Sequence, residues 1–554
     1  MEKLIIRNGL VFDPLNKING EIKDIIVESG KVVEKLSNEK NVKEINAKGK
    51  TIIPAAIDIH THVASQQVNW VRLLGSKNTT FKKIWHGLTL NNITKNYVSN
   101  GYTLIIEANV FPSLAKQTIF NFKQLPVLDK GMLLNVGNFW PLELEFQRGK
   151  IKEMVMFLSD LLKKTKAFGL KIYNPFENES WNFKELRDDI SHQGRLYNFS
   201  ALDVYENLIK SNELLGLPHA SHLHIEAYEH EIGKNNLYNL LEKLKLLNIE
   251  INQNLTRDQV VHIAHANAYN YDGKNEKLVK LLNETPSFGI NLGFLGFNEI
   301  NPFVSSDRRI ISSMMADDSE KRSQKIIRSA VEFEGDSYVI MRKFNKKNYN
   351  DCILWANALD LALNINNKFQ ICFSLNFPNY ANISDIPEII TWLVSKKARD
   401  DYMKDMNATF LKQNSLIENS KVLEFQELVI ITRGAPAKVL GLENVKGNLS
   451  PGADADLNIL DIDIHQIDIS KNYQQLKNAF SNLEFVLKSG TIVKKQDELN
   501  LDPLGSILWS NGKGDIEGSE YVIGKKKEFY QKYSSSFYES LEISVDDKLL
   551  RKIN

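Results

Sequence analysis

Eight of the eleven histidines fall in three short clusters: His60 and His62; His219, His222, His224 and His230; and His262 and His265. Residues two apart on an extended strand face the same side, so His60 and His62 project together from the end of the apolar run AAIDIHTH. Imidazole nitrogens suit zinc, and two of them with oxygen donors leave a coordination position open for water. A lone HxH is most often a core or surface pair. Followed by two more strands that end in histidine, it points to a metal centre. Lys171, in AFGLKIYNP, sits inside another apolar run. The ordinary reading is a snorkelling or ion-paired lysine, because a buried one is costly. Beside the histidine strands, the sharper reading is a desolvated neutral amine that takes up carbon dioxide as a carbamate and bridges two metals.

Positioning these residues needs strands that end at a common mouth. Residues 53–430 alternate short apolar runs (YTLIIEANV, GMLLNVGNF, AFGLKIYN, ASHLHIEA, VVHIAHAN) with helical stretches such as IKEMVMFLSDLLKKTK and NLYNLLEKLKLLN. That alternation predicts an α/β protein with a single (β/α)8 TIM-like barrel, whose active site lies at the C-terminal strand ends. A doubly wound open sheet is the alternative. Residues 1–52 read as β hairpins broken at Asn-Gly and Ser-Gly, and 431–500 return to the same style. The two ends are expected to combine into one small β-sandwich domain, with 501–554 a charged, Tyr/Ser-rich extension that docks or hangs loose.

Composition narrows the function classes. The chain has 554 residues, 43% hydrophobic and 25% charged, as in ordinary globular proteins. Its 69 Lys+Arg against 68 Asp+Glu leave a formal charge of +1, with no basic excess for nucleic acid or an anionic membrane. No run is apolar enough to span a bilayer and the first residues lack a signal-peptide core, so a cytoplasmic location is expected. Two cysteines, Cys352 and Cys372, exclude a disulfide framework or a thiolate zinc site.

Several segments carry a resemblance. NGLVFDPLNKINGE, IPAAIDIHTHVAS, GYTLIIEANVFP, GLKIYNP, GLPHASHLHIEA and ITRGAPAKVLGL…GNLSPGADADLNILDI resemble the amidohydrolase superfamily. More narrowly they are similar to the A subunits of formylmethanofuran dehydrogenases and of the bacterial formyltransferase/hydrolase complexes. GADADLNILD is common to many amidohydrolases, whereas LKIYNP and GLPHxxHLH are more specific. The resemblance implies a metal-dependent hydrolase barrel with two zinc ions bridged by carboxylated Lys171. His60, His62, His224 and His265 would be the other ligands. His222, which shares a face with His224, is expected behind them; His219 and His230 are expected in loops or at the surface, and His262 as a packing residue of opposite strand parity. Glu107, Asn69 and Arg72 are expected near the substrate. Implied substrate and partners are a formylated methanofuran or methylofuran carrier, cleaved to formate and free amine in one-carbon metabolism, and B, C and D subunits.

The departures from that family are specific. Its eighth strand ends Thr-Thr-Asp-His-Pro-Asn, with the aspartate binding metal and moving the proton. Here the stretch is Ser374-Leu375-Asn376-Phe377-Pro378-Asn379, which puts Asn376 in the catalytic position. A carboxamide can offer oxygen to a metal but is no ordinary general base. Ala55-Ala56 and Phe176-Glu177 stand where glycines are usual. Two rival readings follow: a catalytically impaired scaffold within such a complex, or a cyclic amidase of the dihydroorotase/hydantoinase type.

Overall fold

The computed structural model describes residues 3–553 apart from 66–67, 70, 73–86, 178, 180–188, 196–197, 248, 251, 253–254, 298–299, 306, 308–309, 311–337, 514–516 and 535. Strands β1 (Lys3–Asp13), β2 (Ile18–Glu28), β3 (Lys31–Val32), β4 (Val42–Asn46) and β5 (Thr51–Pro54) open the chain. Ser29-Gly30 makes the tight turn between β2 and β3, both residues at positive φ, as the sequence predicts. Asn8-Gly9 does not make a turn. It forms an irregularity inside β1, where the register against β2 shifts between Ile6 and Gly9. The reason is a close approach: a Cβ on Gly9 would stand 2.1 Å from Cδ1 of Ile52.

Barrel strands follow: β6 (Ala56–Thr61), β7 (Tyr102–Val110), β8 (Asp129–Asn135), β9 (Gly169–Tyr173), β10 (Ser221–His224), β11 (Val261–Ile263) and β12 (Phe288–Gly293). An antiparallel hairpin, β13 (Ile300–Ser305) and β14 (Tyr338–Lys343), interrupts the series before β15 (Ile371–Ser374). From β6 to β12 each strand pairs parallel with the next, and β15 pairs with β12. Ser374 Oγ donates to His60 O (2.9 Å) and His62 N to Phe377 O (2.7 Å), drawing β15 to β6. The result is a nearly closed eight-stranded parallel barrel, the TIM-barrel fold expected of an amidohydrolase.

The intervening helices bury apolar residues at three- and four-residue spacing. In Ile151–Thr165 these include Met154, Phe157, Leu158, Leu161 and Leu162. The barrel floor is lined by Ile57, Ile59, Leu104, Ile106, Leu133 and Cys372, closed from beneath by Ala435, Ala437 and Val439 of the helical segment 425–439.

β16 (Leu457–Leu460), β17 (Phe485–Lys488), β18 (Thr491–Lys495) and β19 (Glu498–Leu499) complete the N-terminal sheet, β16 pairing antiparallel with β5. Both ends of the chain thus share one nine-stranded mixed sheet, and a bridge from Lys31 to Asp454 folds it over a common apolar core. The extension after residue 500 is packed rather than loose. Its strands β20 (Ile507–Trp509) and β21 (Leu550–Lys552) add to the base of β8, and Lys526, in the helix Ser519–Tyr533, pairs with Glu145 at 2.7 Å.

Candidate metal centre

One small cavity, of about 20 Å³, at the C-terminal strand ends is lined by His60, His62, Lys171, His224, His265 and Asn376, together with Asn109, Tyr173, Tyr228, Val304, Ser305 and Asn379. The six residues singled out from sequence therefore meet in one place, each at most 8% exposed.

Strand irregularity does much of the aiming. Three steps on β6, Asp58 to Thr61, match two on β7, Ile105 to Glu107, so β6 carries an extra residue there. Such a bulge re-aims side chains. Asp58 turns outward to accept from the Tyr97 hydroxyl at 2.8 Å, while His60 faces the cavity. Burial pushes the Asp58 carboxyl up to about 6, against hydrogen bonds from His60 N, Tyr97 and Ser374. A second shift on β7, between Glu107 and Val110, brings Asn109 into the lining. His265 lies beyond the end of β11 with φ 31°, and Asn376 beyond β15 with φ 46°. Both occupy the left-handed region, which a non-glycine residue adopts only when its surroundings hold it there.

Three of the four lining imidazoles have a partner of their own, while His265 Nδ1 has none among the described residues. His62 Nδ1 donates toward Glu107 Oε1 at 3.3 Å, and Oε2 of the same carboxylate accepts the backbone N–H groups of Val63, Ala64 and Ser65 at 2.6–3.1 Å. Glu107 is fully buried in these bonds, so it shapes the loop and the ring rather than touching substrate. His224 Nδ1 donates to Asn174 Oδ1 at 2.7 Å, and Asn174 Nδ2 to Glu177 Oε1 at 3.1 Å. His60 Nδ1 lies 3.0 Å from His222 Nε2. These bonds leave the Nε2 atoms of His60, His62 and His224 for the cavity. Burial, with Lys171 and neighbouring imidazoles adding to it, holds His60 well below its ordinary pKa, and burial acts likewise on His224 and His265.

Lys171 is 1% exposed and its Nζ has no hydrogen-bond partner among the described residues. Burial alone holds the amine well below its usual pKa. An unpartnered neutral amine among imidazoles that present Nε2 fits a nitrogen-ligated divalent metal, with the amine free to become a carbamate.

Other expectations need correction. His219 is buried rather than at the surface: its Nε2 accepts Leu170 N at 3.0 Å and its Nδ1 donates to Ala220 O. Burial holds it down to about 3. Gly169 makes room for it, since a Cβ there would stand 1.8 Å from the ring. His262 pairs in register with His222, which pairs with Lys171, so it faces the barrel interior beneath the site. The parity argument fails because the strand ends at Ile263, before His265. Arg72 is a loop clamp: it donates to Leu88 O, Val63 O and Asn69 Oδ1, and Asn121 also holds Asn69. Neither Arg72 nor Asn69 lines the cavity. Phe176 keeps a left-handed backbone, φ 70°, at a position where glycines are usual.

Sequence reasoning missed Asn109, Tyr173, Tyr228, Val304, Ser305 and the role of Asn174. Tyr173 and Asn174 left a signal inside LKIYNP, and Asn109 inside GYTLIIEANVFP. Asn379 holds the hairpin β13–β14 over the site by accepting Val304 N (2.8 Å) and donating to Val304 O (3.1 Å).

A second cluster, Asp129, Asp454 and Asp456, has the oxygen spacing of a cation site. The position is already taken: Lys446 Nζ lies 2.5–2.7 Å from all three carboxylates, and Lys488 reaches Asp129 and Asp456.

Comparison with known proteins agrees with this architecture. A model described as "Amidohydrolase family" matches residues 354–494. Protein FwdA of Methanocaldococcus jannaschii is 29% identical, over 98% of this chain and 96% of its own length. The A subunit of the formyltransferase/hydrolase complex Fhc of Methylorubrum extorquens is 24% identical, over 95% and 93%. The resemblance spans the chain. A crystal structure of the Methylorubrum extorquens formyltransferase/hydrolase complex (FhcABCD) with methylofuran superposes with a TM-score of 0.84 at 20% identity, covering 100% of this chain and 99% of that one. Among the described residues no helix is long and apolar enough to cross a membrane.

Proposed function

We propose that the chain hydrolyses an N-formyl amine, releasing formate and the free amine of a methanofuran- or methylofuran-type carrier, as the A subunit of a complex with B, C and D subunits. The observation that carries this reading is the convergence of His60, His62, Lys171, His224 and His265 on one cavity, in a chain similar throughout to FwdA and to the A subunit of Fhc. The five residues would hold two zinc ions, with Lys171 carboxylated between them. Zinc bound there supplies Lewis acidity to the formyl carbonyl and to water. The protein's own groups do the rest. Glu107 orients the ring of His62 and Asn174 that of His224. Tyr173 and Tyr228 wall the cavity, and burial holds the Tyr228 phenol protonated, so it offers a hydrogen bond rather than a charge. Asn376 presents an amide where the resembled family has its proton-moving aspartate, so it can hold a carbonyl or amine but cannot shuttle a proton.

A second reading rests on that last residue. With no carboxylate among the described lining residues, the chain would act as a metal-containing scaffold for partner subunits. Zinc content of the purified full-length chain, measured with formate release from N-formylfurfurylamine, separates the two. Two zincs with turnover supports hydrolysis, two zincs without turnover supports the scaffold, and no zinc refutes both.

A further inference from the structure

His222 is a buried imidazole that the proposed chemistry does not use directly. It precedes His224 by two residues on β10 and pairs in register with Lys171 on β9 and His262 on β11, one layer beneath the mouth. It is 4% exposed and is not among the described residues that line the cavity. Its Nε2 lies 3.0 Å from Nδ1 of His60, and the two ring centres are 5.2 Å apart. His60 does line the cavity, and with Nδ1 engaged below, its remaining nitrogen is the one at the site. A ligand imidazole must keep its metal-facing nitrogen free of a proton, so the proton sits on Nδ1 and needs an acceptor. Two other rings at the mouth solve this with a carboxylate (Glu107 for His62) or an amide oxygen (Asn174 for His224).

We infer that His222 is a positioning residue: its Nε2 accepts the Nδ1 proton of His60, fixing that ring's tautomer and turning its Nε2 to the metal. This rests on the metal-centre reading above. With Nε2 accepting that proton, His222 carries its own on Nδ1. The bond crosses the barrel interior from β10 to β6, so it also ties the strand bearing His224 to the bulged strand bearing His60 and His62.

The test is zinc affinity of the full-length chain, read by competition with a chromophoric chelator, with the cobalt(II) absorption bands as a spectroscopic check. Losing a partner of this kind costs about 10–100-fold in metal affinity. His222→Leu is expected to fall by that factor with altered cobalt bands. His222→Gln, whose amide oxygen can accept the same proton, is expected to stay within a few-fold of the parent. Parental affinity and bands in His222→Leu overturn the inference and leave the metal centre standing. Should the leucine variant fail to fold, the glutamine variant decides: a tenfold or greater loss in folded His222→Gln overturns the inference. A parent chain that binds no zinc overturns both this inference and the proposed function.

Discussion

Lys171 at the barrel mouth and Lys446 beneath its base are 1% and 2% exposed, yet their surroundings have opposite electrostatic character. Around Lys171 stand imidazoles, amides and phenols, with no carboxylate among the described lining residues. Burial therefore acts unopposed and the amine is held neutral. Burial pulls Lys446 the same way, but Asp129, Asp456 and Asp454 more than reverse it and hold the ammonium well above its usual pKa. One lysine is left with a reactive lone pair and the other is a structural cation. The difference lies in which residues the fold brings within 3 Å, not in burial.

The comparison can be broken from either side. Lys446→Met leaves three buried carboxylates facing one another, and removing one partner of a buried ionic cluster costs about 3–5 kcal/mol. A large drop in the urea midpoint is expected; an unchanged midpoint would mean that Lys488, Lys31 and Arg551 suffice. At the mouth, Asn376→Asp introduces the missing carboxylate. If the remaining site is competent, formate release should rise by about 10²–10⁴-fold, the usual worth of general acid–base assistance. No gain would favour the scaffold reading.

Smaller effects sharpen the contrast. Burial alone would raise the Asp129 carboxyl, but Lys446 and Lys488 override it and hold it below the usual carboxylate range; Lys446, Arg551 and Lys31 do the same for Asp454. Groups depressed in this way stabilise the fold above the ordinary carboxylate pKa of about 4 and lose that contribution as pH falls below it. Stability of the metal-free chain should fall as the pH drops below about 4, and Lys446→Met should flatten that fall. Lys171→Met works in the opposite direction. Removing an unpartnered buried amine should raise the stability of the metal-free chain by about 1–3 kcal/mol while abolishing zinc-pair binding. A loss of stability would show that Lys171 carries a structural role.

Much of this was legible before any coordinates. The strand–helix alternation predicts the barrel because parallel strands buried on both faces must be largely apolar, and GLKIY and TLIIEANV are, with Lys171, Glu107 and Asn109 as the polar exceptions near the mouth. Histidine spacing and the lone lysine in an apolar run pointed to the residues that meet at the mouth. What stayed hidden was long-range. Gly9 is an irregularity rather than a turn because Ile52, more than forty residues away, fills the space above it. His219 does lie in a loop, but its burial could not be read from sequence, because it depends on the room that Gly169 on the neighbouring strand leaves for the ring. Glu107 reads as a substrate contact because sequence cannot show that three backbone amides already occupy it.

The extra residue in β6 carries one more consequence. Sidedness along a strand is a matter of counting, and between Asp58 and Thr61 the count is off by one against β7. Removing a single residue from that stretch would shorten the chain trivially, yet it would exchange inside for outside at the first two imidazoles and send them toward Tyr97 instead of the mouth. Insertions and deletions at this level therefore act as inversions, and alignments of related chains are best anchored on the irregularity itself.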